Sequence, residues 1–154
     1  MGKDARLTFS LALLLFRNSQ RREIFVIQEE YTKLARAKEI GMLSTPLVEI
    51  QWQDLSIETA LRRLLHKEVG IGRKQVKIFD IGTVLTPVRA KPEHKVLYSV
   101  GEFHGHPWHR FEPSDPGVQA VGWMSWDEWL SQPTYKVRVG ARVVISDYFR
   151  SISN

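Results

Sequence analysis

The stretch of residues 56 to 71, SIETALRRLLHKEVGI, limits the fold of this chain more than any other. Its apolar residues follow the i, i+3, i+4, i+7, i+8 spacing of a helix that packs one face against a core. They are Ile57, Ala60, Leu61, Leu64 and Leu65. Ser56 is suited to cap the first turn, and Gly70 is suited to the left-handed turn that ends many helices. The pattern predicts a helix that ends near Gly70 and buries Leu64.

The composition favours one folded domain with an anionic partner. With 154 residues, 43% of them hydrophobic and 25% charged, the chain is long enough to bury one core and short for two. The absence of cysteine excludes a disulfide framework, a thiolate zinc site and a cysteine nucleophile. The net charge of +5 favours a nucleotide, a polyphosphate or RNA. We expect a single domain over residues 1–154 that binds a phosphate-bearing ligand.

An apolar run opens the chain. Residues 7–16 are too few to span a bilayer, and no cleavage site follows them, so they predict a buried strand in a cytoplasmic protein with no membrane partner. Residues 22–28 form a second strand pattern after the polar RNSQR connection, which predicts an antiparallel pair. Residues 29–44 fit either a short helix or a long irregular loop.

The rest of the chain alternates strand and helix patterns. Strand patterns cover residues 47–52, 76–86, 95–103 and 118–124, and a fourteen-residue loop with three prolines and three histidines follows the third. Ser125 is a helix cap candidate. A final helix over residues 137–152 has one apolar face, formed by Val137, Ala141, Val144, Ile145, Tyr148, Phe149 and Ile152. This order predicts an α/β fold with a mixed sheet between helices.

The first helix also carries a motif. Ala60, Arg63, Leu65, Glu68, Gly70 and Ile71 keep the spacing of A-x-x-R-E-L-x-E-E-x-G-I, the helical part of the Nudix box. On these residues the chain resembles the Nudix hydrolase family. The resemblance implies a Nudix-like α/β/α sandwich, a nucleoside diphosphate-linked ligand or an RNA end, and hydrolysis of a phosphoanhydride by Mg²⁺ held on the box glutamates.

The box is degenerate, because three of its glutamates are replaced. Leu55, Leu64 and Lys67 stand at their positions, and residues 47–55 also lack the glycines of the preceding loop. Glu68 is retained and is the candidate catalytic residue. One carboxylate beside an ammonium group is a poor Mg²⁺ site. We therefore expect ligand recognition with hydrolysis weakened or lost, and no cofactor in that case.

Two alternatives remain open. In the first, an active hydrolase binds Mg²⁺ through relocated ligands, which are Glu49, Asp54, Glu58 and Glu68. The first three of these carboxylates also suit a strand-surface charge, a helix cap and a helix-surface charge. In the second alternative, the chain is a non-catalytic subunit that uses only the fold to bind another protein. A homodimer is compatible with each hypothesis.

Five basic residues are candidates for ligand binding. Arg63 and Lys67 carry charges that can hold a phosphate, although the fork of donors on Arg63 equally suits support of the preceding loop. His104, His106 and His109 form H-x-H-x-x-H on the long loop. Neutral imidazoles bind zinc, and loop imidazoles also stack on nucleobases or remain plain surface groups, so the spacing leaves these roles open.

Overall fold

The computed structural model describes residues 8–33, 38–88 and 91–153. The predicted strand residue Leu7 and the middle of the 29–44 segment, residues 34–37, lie outside this range. The strands are β1 Thr8–Phe16, β2 Glu23–Glu29, β3 Leu43–Ser44, β4 Leu47–Glu49, β5 Val76–Val88, β6 Lys91–Phe103 and β7 Val118–Ser125. The helices are α1 Ile57–Leu64, extended by a π-helical turn Leu65–Val69, then α2 Trp126–Leu130 and α3 Val139–Ile152, with 3-10 turns at Arg73–Gln75 and Thr134–Lys136.

The apolar run at the start of the chain forms the central strand of a mixed sheet. The sheet order is β3-β2-β1-β6-β5, with β4 on β1 and β7 on β2. β1 pairs with β6 in parallel along its whole length, from Thr8 opposite His94 to Phe16 opposite Glu102. It pairs with β2 in the predicted antiparallel direction at Phe16 and Ile24. Its position explains why both faces of β1 are apolar.

Successive side chains of β1 pack into two separate cores, because a strand alternates its side chains between the two faces of a sheet. Leu11, Leu13 and Leu15 join the core that is covered by α1. The alternate residues join the core that is covered by α3, and these are Ala12, Leu14 and Phe16. The sheet therefore lies between helices, which confirms the predicted α/β/α sandwich.

The amphipathic patterns predict the buried face of each helix correctly, but they overestimate the burial of residues at the helix ends. Ala141, Val144 and Tyr148 of α3 are buried as predicted, whereas Ile152 is 54% exposed. In the same way Ile57, the first residue of α1, is 44% exposed. Periodicity gives the face of a residue, but it does not give the length of helix that the sheet covers. Within the described ranges, no helix is long and apolar enough to cross a membrane.

Two local expectations concern segments between the main elements. In the described part of residues 29–44 there is no helix; Lys33 and Lys38 form an isolated β-bridge, and β3 follows. Ser125 caps α2 as predicted, because its side-chain oxygen accepts a hydrogen bond from the backbone N–H of Glu128 at 3.2 Å.

Candidate functional site

The box helix is built as its sequence predicts. The Ser56 hydroxyl accepts a hydrogen bond from the Thr59 N–H at 3.2 Å and so caps α1. The last turn widens into a π-helix, and Gly70 ends it with φ +81°. This left-handed value is one that glycine adopts without a steric penalty. The cap at Ser56 and the turn at Gly70 therefore define where the helix that carries the motif begins and ends.

Leu64 occupies the position of the first helix glutamate of the family motif, and it belongs to the core. Its side chain is 0% exposed, and it packs in one cluster with Leu61 and Leu65 under the sheet. This burial confirms the prediction made from periodicity. The position therefore contributes apolar packing and offers no oxygen to a metal ion or a water molecule.

Glu68, the retained glutamate, is an internal hydrogen-bond acceptor. The residue is 3% exposed, and its Oε1 accepts a hydrogen bond from the Leu47 N–H at 3.3 Å. Burial raises the pKa of its carboxyl to about 7; the nearby Glu29 and Asp115 raise it further, while the Leu47 hydrogen bond and Arg138 oppose the shift. This carboxyl therefore holds its proton up to a much higher pH than an exposed glutamate does.

A second buried carboxylate, Glu29 at the end of β2, lies in the same region. It is 1% exposed, and it pairs with Arg138 Nη1 at 3.1 Å and with Lys38 Nζ at 3.5 Å. No sequence pattern indicated this site, because Glu29 and Arg138 are 109 positions apart. Protein cations, supplied by two different segments, thus compensate the negative charge buried next to Glu68.

Arg63 braces the loop before the helix. Its guanidinium donates to Asp54 at 2.6 Å (Nη2 to Oδ2) and 3.4 Å (Nε to Oδ1), and to the Glu49 carbonyl at 2.8 Å. Asp54 Oδ2 also accepts the Gln51 N–H at 2.8 Å. The Arg63 hydrogen bonds hold the pKa of Asp54 below its usual range. Loop support, one of the two roles open to Arg63 from sequence, is what its contacts provide.

The remaining acidic candidates lie at separate places. Glu58 on α1 forms ion pairs with Arg62 at 3.1 Å and with Arg73 at 2.9 Å. Glu49 is exposed at the end of β4. Throughout the described ranges, no three His, Asp or Glu side chains are grouped so as to hold a metal ion. The four proposed ligands, Glu49, Asp54, Glu58 and Glu68, therefore do not converge on one point in this structure, and their metal role stays a prediction.

The long loop between β6 and β7 crosses the end of the box helix. The Ser114 N–H donates to the His66 carbonyl at 3.3 Å, and the Asp115 N–H donates to the Lys67 carbonyl at 3.1 Å. Carbonyls at the end of a helix have no partner within the helix, so donors from another segment stabilise them. The loop therefore fixes the backbone of the box while the Lys67 side chain remains exposed.

Gly70 and His109 form the tightest part of this contact. A Cβ added at Gly70 would overlap the backbone of Glu112, so only glycine allows the loop to approach this closely. The imidazole of His109 lies 3.2 Å from the Gly70 carbonyl through Nε2, and it packs edge to face on Phe111 at 5.0 Å between ring centres. His109 thus binds the loop to the helix end.

The other two histidines have different neighbours. His104 Nε2 lies 3.5 Å from the Glu102 carboxylate, and His106 Nδ1 accepts the Trp108 N–H at 3.1 Å. Both side chains are exposed, whereas His109 is half-buried. In the part of the chain that the structure describes, the three imidazoles do not form a group with the spacing of a zinc site. Their role in ligand binding stays a prediction.

The family follows from comparison of the whole chain. A family model described as NUDIX domain matches residues 8–147. The chain therefore belongs to the Nudix family, as the motif residues of the box helix indicated. No curated protein matches the chain significantly.

Solved structures support the same fold. The NUDIX domain of Shewanella oneidensis NrtR, complexed with ADP ribose, has a TM-score of 0.71 at 14% identity and covers 96% of this chain and 89% of that one. A NUDIX hydrolase from Nitrosomonas europaea has a TM-score of 0.67 at 18% identity, covering 95% and 90%. A bifunctional NMN adenylyltransferase/ADP ribose pyrophosphatase from Francisella tularensis, complexed with AMP and a Mn ion, has a TM-score of 0.70 at 11% identity, covering 95% and 42%.

Proposed function

We propose that this Nudix protein binds a nucleoside diphosphate-linked ligand and that its metal-dependent phosphoanhydride hydrolysis is weakened or lost. One observation carries this conclusion: the single retained glutamate, Glu68, is 3% exposed and bonded to the Leu47 N–H, while Leu64 beside it is 0% exposed. A catalytic Mg²⁺ needs accessible oxygen ligands that also face the diphosphate. Neither residue has an accessible oxygen to contribute.

The size of the expected loss follows from the replaced glutamates. Removal of one electrostatic contact to a transition state costs on the order of 3 kcal/mol, or about two decades in rate. Three family glutamates are replaced, at Leu55, Leu64 and Lys67. Even though residues that act as a unit are not additive, a loss of several decades follows. Mg²⁺ would be the cofactor only of the active alternative.

The ligand class is supported by charge. The chain carries a net charge of +5, and a cation replaces an anion at Lys67 in the box itself. Within the described part of the chain, Lys67 has an exposed side chain and no ion pair. Arg63 is already bound to Asp54. Lys67 is therefore the better candidate to contact a phosphate, and Arg63 is the weaker one. The exposed His104 and His106 are candidates to contact the rest of the ligand.

Structural relatives indicate which compounds to titrate. One neighbour is complexed with ADP ribose and another with AMP, at sequence identities that establish only the fold. We propose isothermal calorimetry of the full chain with ADP-ribose and ADP in the presence of a chelator. An RNA oligonucleotide with a 5′-diphosphate is titrated in parallel, because it offers the same phosphate chemistry on an RNA end.

We expect saturable binding without metal. The Lys67→Ala variant should bind about tenfold more weakly, which corresponds to one lost charge-assisted contact. Lys74→Ala is the matched control, since Lys74 is an exposed lysine on the 3-10 turn that follows the box. It should leave the affinity unchanged. Absence of binding to all three compounds would overturn the proposed function and favour the protein-interaction alternative.

A further inference from the structure

Among the residues that the structure describes, the outer strand β5 is an open edge of the sheet. It spans 13 residues and stands at the end of the strand order, where it pairs with β6. Irregularities between Ile78 and Asp80 and between Thr86 and Val88 bound a regular stretch, residues 80–86. That stretch, DIGTVLT, has one charged residue and no proline. Monomeric proteins usually protect such an edge with lysine, proline, a bulge or a short strand, and this stretch has none of these within it.

The same stretch exposes aliphatic side chains on one face. Ile81 is 75% exposed and Leu85 is 62% exposed, and Thr83 between them is exposed too. The alternate residues, Gly82 and Val84, face the core under α3. The exposed aliphatic side chains of this stretch thus lie on the face that α1 covers elsewhere on the sheet. The Ile81 N–H donates to Asp80 Oδ1 at 2.8 Å, and strand pairing would exchange this hydrogen bond for one to the added strand. The sheet edge and the exposed aliphatic groups together define a surface for strand addition.

We propose that β5 pairs antiparallel with β5 of a second copy of this chain, about a two-fold axis at Thr83. In this register Ile81 faces Leu85 of the partner subunit, and symmetry repeats the pair on the other side of the axis. Thr83 faces its own copy. Cross-strand pairs of aliphatic residues and of threonines both stabilise an antiparallel sheet.

Charge and pattern favour a second copy over another partner. The single charge of the stretch, Asp80, falls opposite position 86, so the two aspartates lie at opposite ends of the paired segment. The apolar pattern Ile-x-Thr-x-Leu is symmetric about its centre, as an isologous contact requires. Pairing centred on Gly82 would place Ile81 opposite a threonine and lose both aliphatic pairs. The central register is therefore favoured.

Sedimentation velocity over a concentration series tests this interface. We expect a reversible dimer for the wild-type chain, and the Ile81→Lys variant should weaken it by about tenfold or more, since symmetry removes two pairs at once. Ile40→Lys is the matched control, because Ile40 is 66% exposed and lies outside β5. Thermal melting verifies that each variant is folded, which the exposure of both residues favours.

A second variant tests the register. In Ile81→Lys/Leu85→Glu, the introduced lysine faces the introduced glutamate of the partner subunit on both sides of the axis, so the dimer should re-form. Several results overturn the interface: a wild-type monomer at all concentrations, a dimer indifferent to Ile81→Lys, or equal weakening by Ile40→Lys. A dimer that the single variant breaks and the double variant does not restore overturns the register. The proposed interface contains none of the residues proposed to bind a nucleotide. The dimer test can therefore fail without affecting the proposed function, and the reverse also holds.

Discussion

The loop before the box helix and the turn after it keep the family motif to very different degrees. Residues 47–55, before the helix, retain neither the glycines nor the glutamate of the motif, and Leu55 is 92% exposed. After the helix, Leu65, Gly70 and Ile71 are all retained, and the first and last of these are 0% and 6% exposed. The packing positions Leu65 and Ile71 are kept, whereas Glu68 is the glutamate that remains at its motif position.

Both regions are nevertheless fixed to the helix. Before it, the carboxylate of Asp54 takes two hydrogen bonds from Arg63. After it, the long loop donates to the free carbonyls and packs on Gly70. The contrast teaches that the helix and its two flanking segments are held together although three of the motif's glutamates are replaced. The contacts that fix these segments are made by residues other than the replaced ones.

The largest effect should come from restoring a family glutamate inside the core. Leu64→Glu buries an unpaired carboxylate in apolar surroundings, so we expect the free energy of unfolding to fall by about 4 kcal/mol. Leu55→Glu restores another family glutamate at a position that is 92% exposed, and it should change stability by less than about 0.5 kcal/mol. Urea denaturation measures both. Equal losses of stability in the two variants would contradict the assignment of Leu64 to the apolar core.

The turn after the helix should be almost as sensitive. Gly70→Ala combines a φ of +81° with a clash against the Glu112 backbone, and we expect a loss of about 3 kcal/mol. Gly122→Ala is the control, because Gly122 also has a positive φ, +105°, but open space around it. It should lose only about 1 kcal/mol. If the two variants melt alike, the contact of the loop with the helix end is not tight.

Glu68 should make stability depend on pH. Its pKa rises from 4.5 to about 7 on folding, so the folded state binds the proton more tightly than the unfolded state does. The associated stability is full below the lower value and is lost as the pH rises through the higher one. From about pH 5.5 to about pH 8, the wild type should lose about 2 kcal/mol relative to Glu68→Gln. Parallel stability curves for the two proteins would contradict an internal role for this carboxyl.

The smallest effect concerns the loop before the helix. Arg63→Ala leaves Asp54, whose side chain is 3% exposed, without its charged partner, and should cost about 1.5 kcal/mol. Arg62→Ala removes an exposed pair with Glu58 on the same helix and should cost about 0.3 kcal/mol. Chemical denaturation distinguishes them. An Arg63→Ala variant as stable as Arg62→Ala would mean that the Asp54 contacts do not support the loop.

Sequence predicted the features that depend on neighbouring residues. The caps at Ser56 and Ser125 and the left-handed turn at Gly70 follow from local chemistry, and each is found. The order of strand and helix patterns and the resemblance of the box predicted the sandwich, and the periodicity of α1 predicted which of its faces is buried. The burial of Leu64 follows from the same periodicity.

The candidate site was much less predictable, because its contacts join distant segments. Nothing near Glu29 indicates that Arg138 reaches it, and nothing near Gly70 indicates that Glu112 lies against it. The long loop looked like a ligand-binding segment because of its histidines, yet His109 contacts the helix end. Such contacts depend on the path of the chain in three dimensions, which local patterns do not specify.

Turnover of ADP-ribose in the presence of Mg²⁺ or Mn²⁺ tests the central claim most directly, that the box keeps its architecture without its metal chemistry. We expect hydrolysis that is slow or undetectable, with no further change in Glu68→Gln. Robust turnover that disappears in Glu68→Gln and in Glu49→Gln or Asp54→Asn would contradict this account and establish an enzyme with relocated metal ligands.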